Sequence, residues 1–155
     1  MPTSIAALEL GAARLGPMLD ELTLVGGSAV GLLITYPAAD PPRPTLDLDF
    51  VVRAATLAHY DAFGARLRAA GFTQWPAQPG DPLCRWRSGE LVLDVMPLDE
   101  SVLGFSNRWY RSALDHPYRD DCHPSLRYDS LGFRPARVSA DLLHHLTSGN
   151  AKKMR

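Results

Sequence analysis

Thr45-Leu-Asp-Leu-Asp-Phe-Val-Val52 decides how this chain is read. It is an apolar run with β-branched and aromatic residues at its end, interrupted by two acids. Side chains alternate across a strand, so Asp47 and Asp49 share one face, and Leu46, Leu48 and Phe50 share the other. A second stretch, Leu91-Val-Leu-Asp-Val-Met-Pro97, carries one acid, Asp94, in the same kind of setting. Both stretches read as buried strands. An acid in such a place is costly unless it is paired or bound to a cation. If the three carboxylates converge, they form a site for a divalent metal.

Upstream of the first strand lies Leu24-Val-Gly-Gly-Ser-Ala-Val30. A short strand, Leu22 to Val25, runs into two glycines and then a short apolar helix, expected over Ser28 to Tyr36. Glycine lets the backbone approach a ligand and adopt positive φ, and a helix N-terminus favours phosphate. Gly26, Gly27 and Ser28 are therefore candidate nucleotide-binding residues. The Ser28 hydroxyl suits a terminal phosphate and suits equally a plain N-cap. No Gly-Lys-Ser/Thr follows, so this is not a Walker A loop.

The Asp-x-Asp pair suits a hard cation, Mg²⁺ or Mn²⁺, which takes oxygen ligands and commonly shares them with substrate phosphates. With Asp94 from a neighbouring strand the set would complete a two-metal arrangement, the ions about 3.5–4 Å apart. Asp94 is then also placed to accept the proton of an attacking hydroxyl. Without a cation, like charges at this spacing raise one another's pKa. The alternative is that Asp47 and Asp49 are strand-end caps or face solvent.

Around these motifs the chain alternates helix and strand. Ser4 opens a helix to Leu15, and Gly16-Pro17 ends or kinks it. The segment 37–44 holds four prolines and is a loop. Leu57 to Ala70 is an amphipathic helix closed by Gly71. Strands are expected near Phe72–Trp75, Leu83–Arg87 and Leu91–Met96, with Ser88-Gly89 as a hairpin turn. A helix is expected over Asn107–Leu114, short strands at Leu126–Tyr128 and Phe133–Val138, and a last helix from Ser139 to about Leu146. This order gives an α+β (mixed α/β) fold, a small mixed sheet flanked by helices, and not a doubly wound parallel one. It is read as one domain over 1–148, with 149–155 a flexible tail.

Composition is that of a soluble globular protein, 46% hydrophobic and 21% charged. No apolar run reaches the roughly 18 residues of a membrane span, and no export signal opens the chain, so a cytoplasmic setting is expected. Cys84 and Cys122 are expected free and reduced. The net charge of −1 hides an asymmetry: residues 1–100 hold 7 Lys/Arg against 12 Asp/Glu, and residues 101–155 hold 9 against 5. The basic part suits a nucleic-acid partner or is an ordinary mixed surface. The five histidines show no zinc spacing with the cysteines. Trp75, Trp86 and Trp109 read as core, although Trp109-Tyr110 between Arg108 and Arg111 also suits base stacking.

Taken together, the motifs resemble those of the AbiEii/MenT-like nucleotidyltransferases of the DNA polymerase β superfamily. The resemblance rests on Val25-Gly-Gly-Ser-Ala29, Thr45-Leu-Asp-Leu-Asp-Phe50 and Leu93-Asp-Val-Met-Pro-Leu98. Leu103-Gly-Phe-Ser-Asn-Arg-Trp-Tyr110 is a further similar segment, and the likeness covers roughly residues 20–140. It implies Mg²⁺-dependent transfer of a nucleoside monophosphate from an NTP, with release of pyrophosphate. Asp47 and Asp49 would bind the metals, Asp94 would fill the third carboxylate position, and Gly27 and Ser28 would hold the triphosphate. It further implies an RNA or protein acceptor, tRNA among them, and a toxin role with an antitoxin partner. The family pattern also implies a lysine in a helix after the last strand. Ser139-Ala-Asp-Leu-Leu-His-His-Leu146 reaches that place without one. Losing that cation leaves the triphosphate less neutralised. The alternative expectation is accordingly a catalytically weakened or inactive module that binds a nucleotide or a partner.

Overall fold

A computed structural model of the chain describes residues 4–33, 47–75, 79 and 83–115. The proline-rich segment 37–44, the elements expected beyond residue 115, the tail 149–155 and Cys122 lie outside the described residues.

The first helix, α1 (Ser4–Leu15), ends where Gly16 turns to φ +51, and a 3-10 turn with Pro17 near its start follows over Gly16–Glu21. Next come β1 (Leu22–Val25), α2 (Gly26–Leu33), β2 (Leu48–Val52) and α3 (Leu57–Ala69). The remaining elements are β3 (Thr73–Gln74), β4 (Arg85–Ser88), β5 (Leu91–Pro97), α4 (Glu100–Leu103) and α5 (Trp109–Asp115). Among the described residues, five strands form one mixed sheet in the order β1-β2-β5-β4-β3. There β2 and β5 pair in parallel, and the other neighbours are antiparallel. A parallel pair needs a crossover connection, and the chain supplies it through α3 and the β3–β4 pair. The expected α+β class, a mixed sheet flanked by helices, is what the chain adopts.

The pleat gives the sheet two unlike faces. Leu24, Leu48, Phe50, Trp86, Leu93 and Val95 point to one, and all are essentially sealed from solvent. There they pack with Leu8 and Leu15 of α1 and Tyr60, Phe63 and Leu67 of α3 in one apolar cluster. Each such side chain contributes roughly 1.5–3 kcal/mol by burial. Polar contacts pin the same helices. Tyr60 donates its hydroxyl to the Val95 carbonyl at 2.8 Å, and Arg14 of α1 donates to Ser88 Oγ at the end of β4. Gly64 of α3 lies against Trp86, where a Cβ would stand 3.0 Å from the indole. The opposite face carries Asp49, Val51, Asp94, Met96, Arg85 and Arg87, a mixed set in which Val51 is sealed from solvent and the charged side chains lie from buried to exposed.

The α3 helix shows why the local sequence suffices for some elements. Thr56 caps it, its hydroxyl accepting from the His59 amide at 3.2 Å. At the other end Gly71, φ +86, lets Phe72 N–H reach the Leu67 carbonyl and Gly71 N–H reach that of Arg68, both at 3.0 Å. That pair of bonds is a Schellman ending, and buried Leu67 and Phe72 supply its apolar contact.

Three expectations shift. The helix expected from Ser28 begins at Gly26, because the positive φ of that glycine (+72) turns the chain directly out of β1. The hairpin turn is Gly89-Glu90, not Ser88-Gly89: Ser88 pairs with Leu91 as the last rung, and Gly89 at φ +62 takes the first turn position. The helix expected at Asn107 starts at Trp109 and is preceded by the short α4, capped by Asp99 and ended by Gly104 at φ +81.

Candidate metal centre

Parallel pairing of β2 and β5 sets Asp49 opposite Asp94. Asp47, immediately before β2, lies two residues from Asp49 and so on its face. The result is a group of three carboxylates whose nearest oxygens all lie within 4.8 Å of one another. The three acids singled out in the sequence are thus brought together. Hard oxygen donors at this spacing fit Mg²⁺ or Mn²⁺ and would suit no soft metal.

The glycine turn abuts the same group. Val25 pairs with Asp49, so the next residue, Gly26, stands against the Asp49 side chain. A Cβ on Gly26 would be 2.9 Å from Asp49 Cγ and would overlap Oδ2. Gly26 is therefore required twice, for its positive φ and for the space that Asp49 fills. The N-terminal turn of α2, the positive end of its dipole, faces this acid. Ser28 is buried in that turn and donates to the Asp47 main-chain carbonyl at 3.4 Å, tying the start of α2 to the start of β2.

The acids do not stand as bare like charges, contrary to the sequence expectation. Arg85 of β4 lies opposite Asp94 across the antiparallel β4–β5 pair. Its Nε donates to Asp94 Oδ1 at 2.7 Å and its Nη2 to Asp94 Oδ2 at 2.7 Å. The same Nη2 donates to Asp47 Oδ2 at 2.9 Å. The fork is half-buried, with 23% of the Arg85 side chain and 13% of that of Asp94 exposed. A bidentate guanidinium–carboxylate pair in such surroundings is strong and directional. The hydrogen bond to Asp94 holds the guanidinium firmly protonated, above its ordinary range.

No protein-family model and no curated protein matches the chain.

Further groups border the acids. Tyr110 of α5 donates its hydroxyl to Met96 Sδ at 2.8 Å, which sets α5 against the acid-bearing face. Burial raises the Tyr110 phenol above its ordinary range, and the charges of Asp49, Cys84 and Asp94 push it the same way. Cys84, a buried free thiol next to Arg85, is pushed up to about 12, chiefly by burial and then by Asp94. Of the tryptophans, Trp86 is core. Trp75 and Trp109 are partly exposed, each with an arginine stacked on it, Arg87 at 4.9 Å and Arg108 at 4.6 Å. His59 is exposed on α3.

Sequence reasoning missed Arg85. The signal was present in the hairpin. A two-residue turn at Gly89-Glu90 puts Arg85 opposite Asp94, whereas a turn at Ser88-Gly89 puts Leu83 there. A one-residue error in the turn therefore hid the cation that bonds the acids among the described residues.

Proposed function

We propose that the chain is a divalent-metal-dependent nucleotidyltransferase, transferring NMP from an NTP to an RNA or protein acceptor. The observation that carries this reading is the convergence of Asp47, Asp49 and Asp94, oxygens within 4.8 Å, beside the glycine-led start of α2. The sequence resemblance points to the same chemistry, and a toxin role with an antitoxin partner belongs to the same proposal. Asp47, Asp49 and Asp94 would hold Mg²⁺ or Mn²⁺, which would supply polarisation of phosphoryl oxygens and neutralisation of negative charge. Gly26, Gly27 and Ser28 would border the triphosphate, where the positive end of the α2 dipole favours phosphate. Asp94 receives the proton of the attacking hydroxyl, its orientation fixed by the Arg85 fork.

A second reading has its own observation. Arg85 already bonds two of the three acids, which suits a nucleotide- or partner-binding module with weakened turnover. Incubation with α-³²P-labelled NTPs, Mn²⁺ and total RNA or protein separates the two. Transfer of label that disappears in Asp49→Ala is the expected result. Metal-dependent NTP binding with no transfer would favour the binding module.

A further inference from the structure

We propose that Arg85 is the internal cation of the acid cluster, a positioning residue that competes with the metal for Asp47 while holding Asp94 in place. This rests on the metal-site reading above and concerns what that reading leaves unexplained: an arginine in the middle of it.

Arg85 binds its two partners unequally. Asp94 is engaged through both oxygens by Nε and Nη2, each at 2.7 Å, and lies directly opposite on the neighbouring strand. Asp47 is engaged through one oxygen only, by an Nη2 proton at 2.9 Å. Asp47 is also the more exposed acid, 29% against 13% for Asp94. The Asp94 fork is thus the fixed half of the interaction, and the single Asp47 bond is the half that opens. Each carboxylate oxygen still has acceptor capacity beyond the Arg85 bond, so Asp94 can take a metal without releasing the fork. A cation that turns the Asp47 carboxylate has one Arg85 bond to displace, against two at Asp94.

Charge sets the consequence. The guanidinium already offsets part of the negative charge that a divalent ion would meet at Asp94 and Asp47, so the nucleotide-free protein holds metal less tightly than the same acids would without it. Its removal takes this positive charge from both acids, which makes the metal-free protein less stable while strengthening its grip on metal.

The test titrates Mn²⁺ alone, without nucleotide, into wild type, Arg85→Gln, Arg85→Lys and Asp49→Asn. Free Mn²⁺ is followed by electron paramagnetic resonance, and the Tm is measured with and without metal. Arg85→Gln is expected to bind Mn²⁺ about tenfold more tightly than wild type and to have the lower metal-free Tm. Arg85→Lys keeps the charge without the fork. It is expected to bind Mn²⁺ within about threefold of wild type, and it keeps the comparison open should the glutamine variant fail to fold. Wild-type or weaker Mn²⁺ affinity in Arg85→Gln overturns the role given to Arg85. A tighter affinity in Arg85→Lys overturns it as well. Asp49→Asn distinguishes the two layers: if it leaves Mn²⁺ binding intact, the metal-site reading itself fails; if it abolishes binding while Arg85→Gln changes nothing, only the role of Arg85 fails.

Discussion

Cys84 shows how much a single residue takes from its place in the sheet. It precedes Arg85 on the chain, yet the alternation of the strand turns its thiol into the interior while the guanidinium meets the acids. Burial, and after it the Asp94 charge, push its pKa from 9.0 to about 12. The sign follows from linkage. Between these values the unfolded chain has lost the thiol proton and the folded chain retains it, so stability falls as pH rises through that window and is complete below pH 9. Tyr60 and Tyr110, both raised from 10.0 mainly by burial, join the decline only at higher pH. The Tm of wild type should therefore begin to fall between pH 9 and 10, and that of Cys84→Ala should stay flat there. A thiol reagent should react with Cys84 in the native protein far more slowly than in denaturant. The opposite order, or an unchanged pH profile in Cys84→Ala, contradicts the burial argument.

At the scale of elements, legibility followed the range of the forces involved. α3 was readable because its signals are local: the apolar periodicity and the Gly71 stop mark it in the sequence, and Thr56, not singled out there, caps its start. Replacing Thr56 by alanine should cost about 1 kcal/mol in urea unfolding and leave Mn²⁺ binding unchanged, since the cap lies on α3 and away from the acids. The strands were readable from their apolar runs, and the three acids from the cost of placing charge among them. What failed was register. Alternation shows which residues share a face but not which residue lies opposite, and that is fixed by turn geometry. Whether Gly89 takes the first or the second turn position decides whether Arg85 or Leu83 meets Asp94. The local sequence admits both, and only the pairing of Ser88 with Leu91 selects between them. That β5 neighbours β2 was expected from the acids, but the parallel direction of the pair was not, for a related reason. The pair joins segments separated by α3 and a hairpin, and no local signal encodes its direction.

For the whole molecule, the two faces of the sheet differ in what they hold, an apolar core on one and the acid cluster on the other. The face under α1 and α3 is closely packed around Trp86, Phe50 and Leu93, all nearly sealed from solvent. Its integrity should set the folding free energy. The other face gathers three carboxylates around Arg85, and in the proposed reading the cost of placing them together is borne for the metal. Substitutions on the two faces should therefore have opposite signatures. Trp86→Leu leaves a cavity beneath Gly64 and should lower stability by about 3 kcal/mol while the protein, below its Tm, still binds Mn²⁺. Asp49→Asn removes a like charge from the cluster, so the metal-free protein should be as stable as wild type or more so. What it should lose is the response to metal: Mn²⁺ at about a hundredfold over its Kd adds about 2.7 kcal/mol to a protein that binds only when folded. Denaturant titrations of both variants, with Mn²⁺ and with EDTA, measure the four values. If Asp49→Asn instead destabilises the metal-free fold as Trp86→Leu does, the acid-bearing face is a structural element, and the separation of the two faces is wrong.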